Sequence, residues 1–324
     1  MVKLASAEMA EKKLATRAAF GATLAELAEE GVPVVAVDAD LTGSTTTKKF
    51  AAAAPENADK LFNCGIAEQN MIDVAAGLAL TGHVAYTGSF AVFGTGRAYD
   101  QIRNTVCYSN LDVKICPTHA GVSVGPDGGS HQMLEDVSLM RGLPNMRVLV
   151  PADYAAARAA IKLAAKTPGP VYVRMGRAAV PCVYDDDVEL ELGRAYVLRE
   201  GTDATVVACG VEIREALAAA DALAAEGISI EVIDAFSVKP LDEDTITASV
   251  AKTGCCVVAE EHSVHGGLGS AVAECLARKN PAPCEFVGVQ DRFGKSGEFE
   301  ELLGYFNLDA AAIVEAVKRA MGRK

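Results

Sequence analysis

FNCGIAEQNMIDVAAGLALTGHVAYTGSFAVFGTGRAYD, residues Phe62 to Asp100, is the stretch whose reading decides the fold. A short apolar run meets a turn at Asn63-Cys64-Gly65. Ile66, Met71, Val74, Ala75 and Leu78 then recur at helical spacing, and Gly82 ends the helix. A strand-like HVAYTGSF follows, with a second helix expected from about Gly94. Glu68 therefore falls in the first turn of a mostly apolar helix, and Phe90 and Phe93 fall just past a strand end. In parallel α/β sheets ligands bind outside the carboxyl ends of the strands, so one acid and two aromatic rings are expected at one rim. Taken singly, each has a plainer explanation. An acid at a helix start commonly caps it and suits its dipole, and two phenylalanines are ordinarily core.

The rest of the chain extends this pattern. Residues 4–30 read as one helix closed by Gly31. VPVVAVDADL is a buried strand ending in Asp38 and Asp40, followed by Thr42-Gly43-Ser44. HVAYTG, DVKICPTHAG, RVLVPAD and PVYVRMG continue as strands, with the helix YAAARAAIKLAAKT between the last two. Residues 176–196 break the alternation with proline and three successive aspartates, which reads as a surface linker. A second alternation follows: ATVVACG, a helix over 212–226, ISIEVIDAF, a helix over 242–252, CCVVAEEH, a helix from Gly269, CEFVGVQD and a terminal helix in DAAAIVEAVKRAMG. The expected fold class is α/β, in two domains over residues 1–187 and 188–324, each a mostly parallel sheet covered by helices.

Composition narrows the function. The 324 residues allow two ordinary domains, and half of them are hydrophobic. No run of eighteen apolar residues suggests a membrane span. The N-terminus mixes acids and bases and lacks the apolar centre of a signal peptide. Nine cysteines without a CxxC pair fit a reducing compartment, so a cytoplasmic location is expected. Cys255 and Cys256 read as core thiols. A net charge of −13 argues against nucleic acid, whose binding needs basic patches.

GIAEQNM, SFAVF, THAGVSVGPDGGSHQ and DRFGKSGEFEELL, in this order over nearly the whole chain, resemble the transketolase family of thiamine diphosphate enzymes. The resemblance covers the family's pyrimidine-binding and C-terminal domains, as in the C-terminal subunit of a split transketolase. It implies that Glu68 is the acid that engages N1′ of the aminopyrimidine, because an acid in an apolar site can share a proton with that nitrogen. Phe90 and Phe93 match the rings that hold the aminopyrimidine, and Asp40 matches a position facing the thiazolium. Another aromatic common in the family is replaced by Gly96, so that wall of the pocket must differ. His131 matches a residue near the cofactor's amino group and the reacting carbon, and Asp127 one that meets the sugar hydroxyls. Arg17, Ser44, His119 and Arg174 occupy the positions that bind the sugar phosphate, and His131 and His119 are expected to assist proton handling. Arginine suits phosphate because its planar fork of donors meets two oxygens at once.

No GDG motif occurs in the chain. By resemblance, the diphosphate and a Mg2+ or other divalent metal are bound mainly by a partner subunit of the transketolase N-terminal type, which carries the GDG…N motif. The expected assembly is a heterotetramer, α2β2, with the C-terminal domain mainly supporting dimerisation. The expected activity is ketol transfer between sugar phosphates, as in the pentose phosphate pathway. The turn in EEHSVHGGLGS can hold an anion at a helix start, but a tight strand-to-helix turn explains it equally well, so no site is assigned there. Three alternatives stay open: the β subunit of a 2-oxo acid dehydrogenase, an enzyme like 1-deoxyxylulose-5-phosphate synthase, and a non-catalytic transketolase-like scaffold.

Overall fold

The computed structural model describes residues 2–324, and its backbone follows two parallel sheets in turn. The first has seven strands, in the order Ser237–Lys239, Arg147–Leu149, Val171–Val173, Val113–Ile115, Val84–Gly88, Val34–Asp38 and Leu61–Asn63. All its pairings are parallel except that of Ser237–Lys239 with Arg147–Leu149. The second has five strands, Cys284–Val289, Cys256–Ser263, Ala204–Ala208, Ile230–Asp234 and Tyr196–Arg199, with an antiparallel pairing only at the last edge. Strands such as Val34–Asp38, Val84–Gly88 and Ala204–Ala208 are buried at every residue. That is why they read as mostly apolar runs rather than alternating ones.

The two sheets are not independent. Ser237–Lys239 lies in the sequence of the second unit yet completes an edge of the first sheet. Each of the two main apolar clusters spans both units: one joins Leu149 and Val173 to Val206 and Phe236, the other Val148 and Val150 to Val207 and Ile233. Covering helices present apolar faces at helical spacing. Helix Ala18–Glu29 buries Ala19, Phe20, Leu24 and Leu27 and packs on helix Tyr154–Ala165.

Two expectations are corrected. Residues 4–30 are not one helix: Ala7–Ala10 forms a single turn, Lys13–Ala15 is a strand, and the helix proper is Ala18–Glu29. Lys13–Ala15 pairs with Ala179–Pro181, so a long-range backbone ladder overrides the local helical preference of this alanine-rich stretch. Nor is 176–196 a solvated linker. Tyr184 is fully buried, and its hydroxyl donates to Asp234 Oδ2 at 2.5 Å. The N–H groups of Val183 and Tyr184 donate to Asp153, which also caps helix Tyr154–Ala165 through Ala156 N–H at 2.8 Å. Burial pushes the Asp234 carboxyl up to about 7. All nine cysteines are free, and Cys255 and Cys256 are buried as expected. Among the described residues, no helix is long and apolar enough to cross a membrane.

Candidate active site

The candidate residues gather at the carboxyl edge of the first sheet. Asp38 ends one strand, Ser89 and Phe90 follow the next, Thr118 and His119 follow a third, and helix Glu68–Leu80 starts beside them. Glu68 is 1% exposed and makes no capping bond, although it lies in the first turn of its helix. Its carboxylate accepts instead from Arg97 Nη1 at 2.7 Å and from Ser89 Oγ at 3.4 Å. Arg97 ends a π-helical segment, Val92–Arg97, and its guanidinium lies 4.5 Å over the Phe93 ring. Such widened turns recur at functional sites. Arg97 is about half exposed, so its grip on Glu68 faces solvent.

A cluster of rings gathers beside Arg97, the partner of Glu68. Phe90 stacks with Phe93 at 6.1 Å and with the His119 ring at 3.8 Å. His131 stands edge-on to Phe93 at 5.4 Å and to Phe90 at 6.1 Å. Its Nδ1 is 2.9 Å from Ser130 Oγ. His119 has a left-handed backbone, φ 62°, and its Nδ1 is 2.7 Å from Thr118 Oγ1. Burial, then repulsion from Arg17, Arg177 and His131, pushes the His119 imidazole down to about 3. It is therefore neutral at pH 7, with one ring nitrogen to donate and one to accept.

Asp38, buried, builds the neighbouring turn. It accepts from Leu41 N–H at 2.7 Å, Thr45 Oγ1 at 2.7 Å and Thr47 Oγ1 at 2.9 Å. Burial raises its carboxyl and these bonds partly offset the rise. The turn leaves Asp40 exposed at φ 64°, with its N–H on Asn63 Oδ1. It also places the Ser44 carbonyl 3.0 Å from Arg17 Nη1. Asp127 is exposed on the loop that carries His131.

Arg174 does not join Arg17. It is 7% exposed, with Nε on Asp136 Oδ2 at 2.7 Å and Nη2 on the Glu261 carbonyl at 2.9 Å. Burial works against its charge, but Asp136 and Glu261 outweigh burial and raise its basicity. Nε and Nη2 are engaged inside the protein, Nη1 lies 3.8 Å from Glu261 Oε2, and Arg174 is not among the residues that line the cavity of Arg17. Arg177, three residues on, stands where Arg174 was expected. Arg17, Ser123 and Arg177 line a cavity of about 340 Å³ with Glu298 and Phe299 from the second unit. Arg17's affinity for its proton falls through burial and then through repulsion from Arg177, which places two cations on one cavity. The signal for Arg177 was its distance from the strand end: Val173 closes the strand, and Gly176 turns the chain outward. Arg97 carried no such signal, because its partner is 29 residues away.

The glycine-rich turn after Ser263 already holds an anion of its own. Glu260 accepts from Leu268 N–H at 2.7 Å and Gly269 N–H at 2.8 Å at the start of helix Leu268–Lys279.

Comparison with known proteins places this geometry in a lineage. The family described as transketolase, pyrimidine-binding domain, matches residues 12–183, and transketolase, C-terminal domain, matches residues 193–313. A putative transketolase C-terminal section from Methanocaldococcus jannaschii is 44% identical, over 95% of this chain and 96% of its own length. A 6-deoxy-6-sulfo-D-fructose transketolase subunit from a Clostridium species is 42% identical, over 93% of this chain and 92% of its own. A solved structure described as a split-gene transketolase, inactive β4 tetramer, superposes with a TM-score of 0.87 at 49% identity, covering 96% of this chain and 99% of its own.

Proposed function

The chain belongs to the transketolase family, and on that premise we propose that it is the C-terminal subunit of a two-chain, thiamine diphosphate-dependent transketolase acting on sugar phosphates. The observation that carries this reading is Glu68, a buried carboxylate that makes no capping bond and is joined through Arg97 to the ring cluster of Phe90, Phe93, His119 and His131.

These residues fit an aminopyrimidine. Glu68 has one charged partner, Arg97, which is about half exposed and lies 4.5 Å over the Phe93 ring. Glu68 would hold the proton at N1′, with Phe90 and Phe93 against the ring and Asp40 toward the thiazolium. When bound, the cofactor supplies the electron sink that allows a ketose C2–C3 bond to break. His131 would serve the reacting end of the sugar and Asp127 a hydroxyl. His119, neutral in this environment, would orient by hydrogen bonding rather than by charge. Arg17 and Arg177 would hold the distal phosphate in their shared cavity, beside Ser44 and Ser123. Two cations on one cavity, against the single acid Glu298, suit a phosphorylated sugar.

The diphosphate and its divalent metal are assigned to a partner chain with the GDG…N motif, in an α2β2 assembly; the support is that relatives described as a C-terminal section and as a subunit are matched over nearly their whole length. The description of the solved β4 relative as inactive supports the same division of labour. The two domains are taken as 1–187 and 188–324.

The test is to mix the purified chain with an N-terminal-type subunit, thiamine diphosphate and Mg2+, and assay ketol transfer from a panel of phosphorylated, sulfonated and plain ketoses. The pair should turn over a phosphorylated donor, and the chain alone should not. Substantial turnover by the single chain, or a preference for plain or sulfonated donors, overturns the assignment.

A further inference from the structure

We infer that the C-terminal domain positions the substrate loop, residues 121–132, through Gln132, with Glu261 as a second anchor. The inference rests on the functional reading above for the word substrate, but the clamp itself rests on bonds within the chain. The loop carries Asp127 and His131 and lends Ser123 and Gly125 to the cavity of Arg17 and Arg177. Gly121, Gly125 and Gly128 all have φ between 74° and 80°, so the backbone here follows a path that few residues would hold unaided.

What holds it comes largely from the other domain. Gln132 is 4% exposed, and its amide pairs with both backbone groups of one residue, Lys295. Nε2 donates to the Lys295 carbonyl at 2.9 Å, and Lys295 N–H donates to Oε1 at 2.8 Å. The same Nε2 lies 3.2 Å from the Val122 carbonyl and 3.3 Å from that of Gly125, tying the end of the loop to its beginning. At the beginning, Glu261 from strand Cys256–Ser263 accepts from both the N–H and the hydroxyl of Ser123. Steric fit repeats the message on both arms. A Cβ at Gly294 would collide with the Gln132 amide, and one at Gly121 would overlap the Glu261 carboxylate. Gly129 likewise abuts the backbone of Gly294, and Gly128 the side chain of Ser296.

A loop pinned at both ends by a second domain keeps His131 edge-on to Phe93 without any bond between those two rings. Displacing a positioned group by an ångström is costly for a reaction that depends on orientation. The C-terminal domain is on this view a working part of the sugar site, and Gln132 is a positioning residue that touches no reacting atom.

Two variants approach the seam from opposite sides. Gln132→Ala removes the amide, and Gly294→Ala, in the C-terminal domain, pushes it aside. Hydrogen exchange is measured on the full chain, and kinetics on the assembled pair with a phosphorylated donor. Each variant should speed amide exchange over 121–132 by about tenfold or more, as expected for a local opening that has lost roughly one good hydrogen bond. Exchange in helix Tyr154–Ala165 should stay as in the wild type. In the assembled pair, kcat/KM should fall about tenfold or more, while the cofactor dissociation constant is unchanged. Exchange over 121–132 within twofold of wild type in both variants overturns the clamp. Accelerated exchange with unaltered kcat/KM overturns the positioning role. A wild-type pair that transfers no ketol group overturns the functional reading instead, and exchange still decides the clamp.

Discussion

Arg174 and Arg177 lie one turn of chain apart, and their removal should have opposite consequences. Arg174→Ala would leave Asp136, fully buried, with Tyr172 Oη at 2.5 Å and His262 at 4.0 Å as its remaining partners. The Glu261 carbonyl would lose its donor as well. Breaking one side of a buried pair costs roughly 3–5 kcal/mol, a large part of the roughly 5–15 kcal/mol that holds a domain together. At roughly 2–4 °C per kcal/mol for a domain of this size, the unfolding midpoint should drop by about 10 °C. Arg177 is half-buried and makes one bond within the chain, to the Val124 carbonyl at 2.6 Å. Arg177→Ala should therefore cost about 1 kcal/mol of stability. If Arg177 meets a phosphate, it supplies a charge-assisted bond of roughly 1.5–3 kcal/mol. That converts to a loss of roughly ten- to hundred-fold in kcat/KM for a phosphorylated donor, with a plain donor little affected. The assay pairs thermal unfolding of each variant with kcat/KM for both donors in the assembled enzyme. A stable Arg174→Ala with a phosphate-selective defect, beside a normal Arg177→Ala, would refute the reasoning and restore Arg174 to the substrate.

Two further outcomes follow from the same site. Glu68→Gln should lower kcat on the order of 10²-fold or more at saturating cofactor, because the amide cannot exchange a proton with N1′. Its unfolding temperature should barely move, since the Arg97 partner is half exposed, and near-normal turnover would reduce Glu68 to a structural acid. His119 should make the protein sensitive to acid. Its folded-state value is down at about 3, against roughly 6.5 in an unfolded chain. The stability it contributes is therefore intact above 6.5 and is lost as pH falls toward 3. Asp234 and Glu261, both pushed up to about 7 by burial, act in the opposite sense. Only the difference between variant and wild type isolates the histidine. Urea midpoints at pH 7 and pH 5 should show His119→Gln losing about 2 kcal/mol less than wild type over that interval. Equal losses would mean that His119 is charged in the folded protein.

The sequence alone determined the alternation of strands and helices, and hence the two parallel sheets, because strands buried on both faces must be mostly apolar. It also placed Glu68, Phe90 and Phe93 at one rim, while His119 and His131 entered through resemblance to a known family. The first three sit just past strand ends or at a helix start, and chain order fixes which edge of a parallel sheet they occupy. What chain order does not encode is partnership across distance. The helix expected over 4–30 gave way to a strand because Lys13–Ala15 found Ala179–Pro181. The second unit lent Ser237–Lys239 to the first sheet. Arg174 and Arg177 have the same chemistry and nearly the same address. Only the packed structure, by bringing Asp136 and Glu261 against one and a cavity against the other, decided which is held inside the protein and which lines a cavity with Arg17. Burial is a property of the whole fold, and in a dry interior a cation must find its counter-charge within the protein.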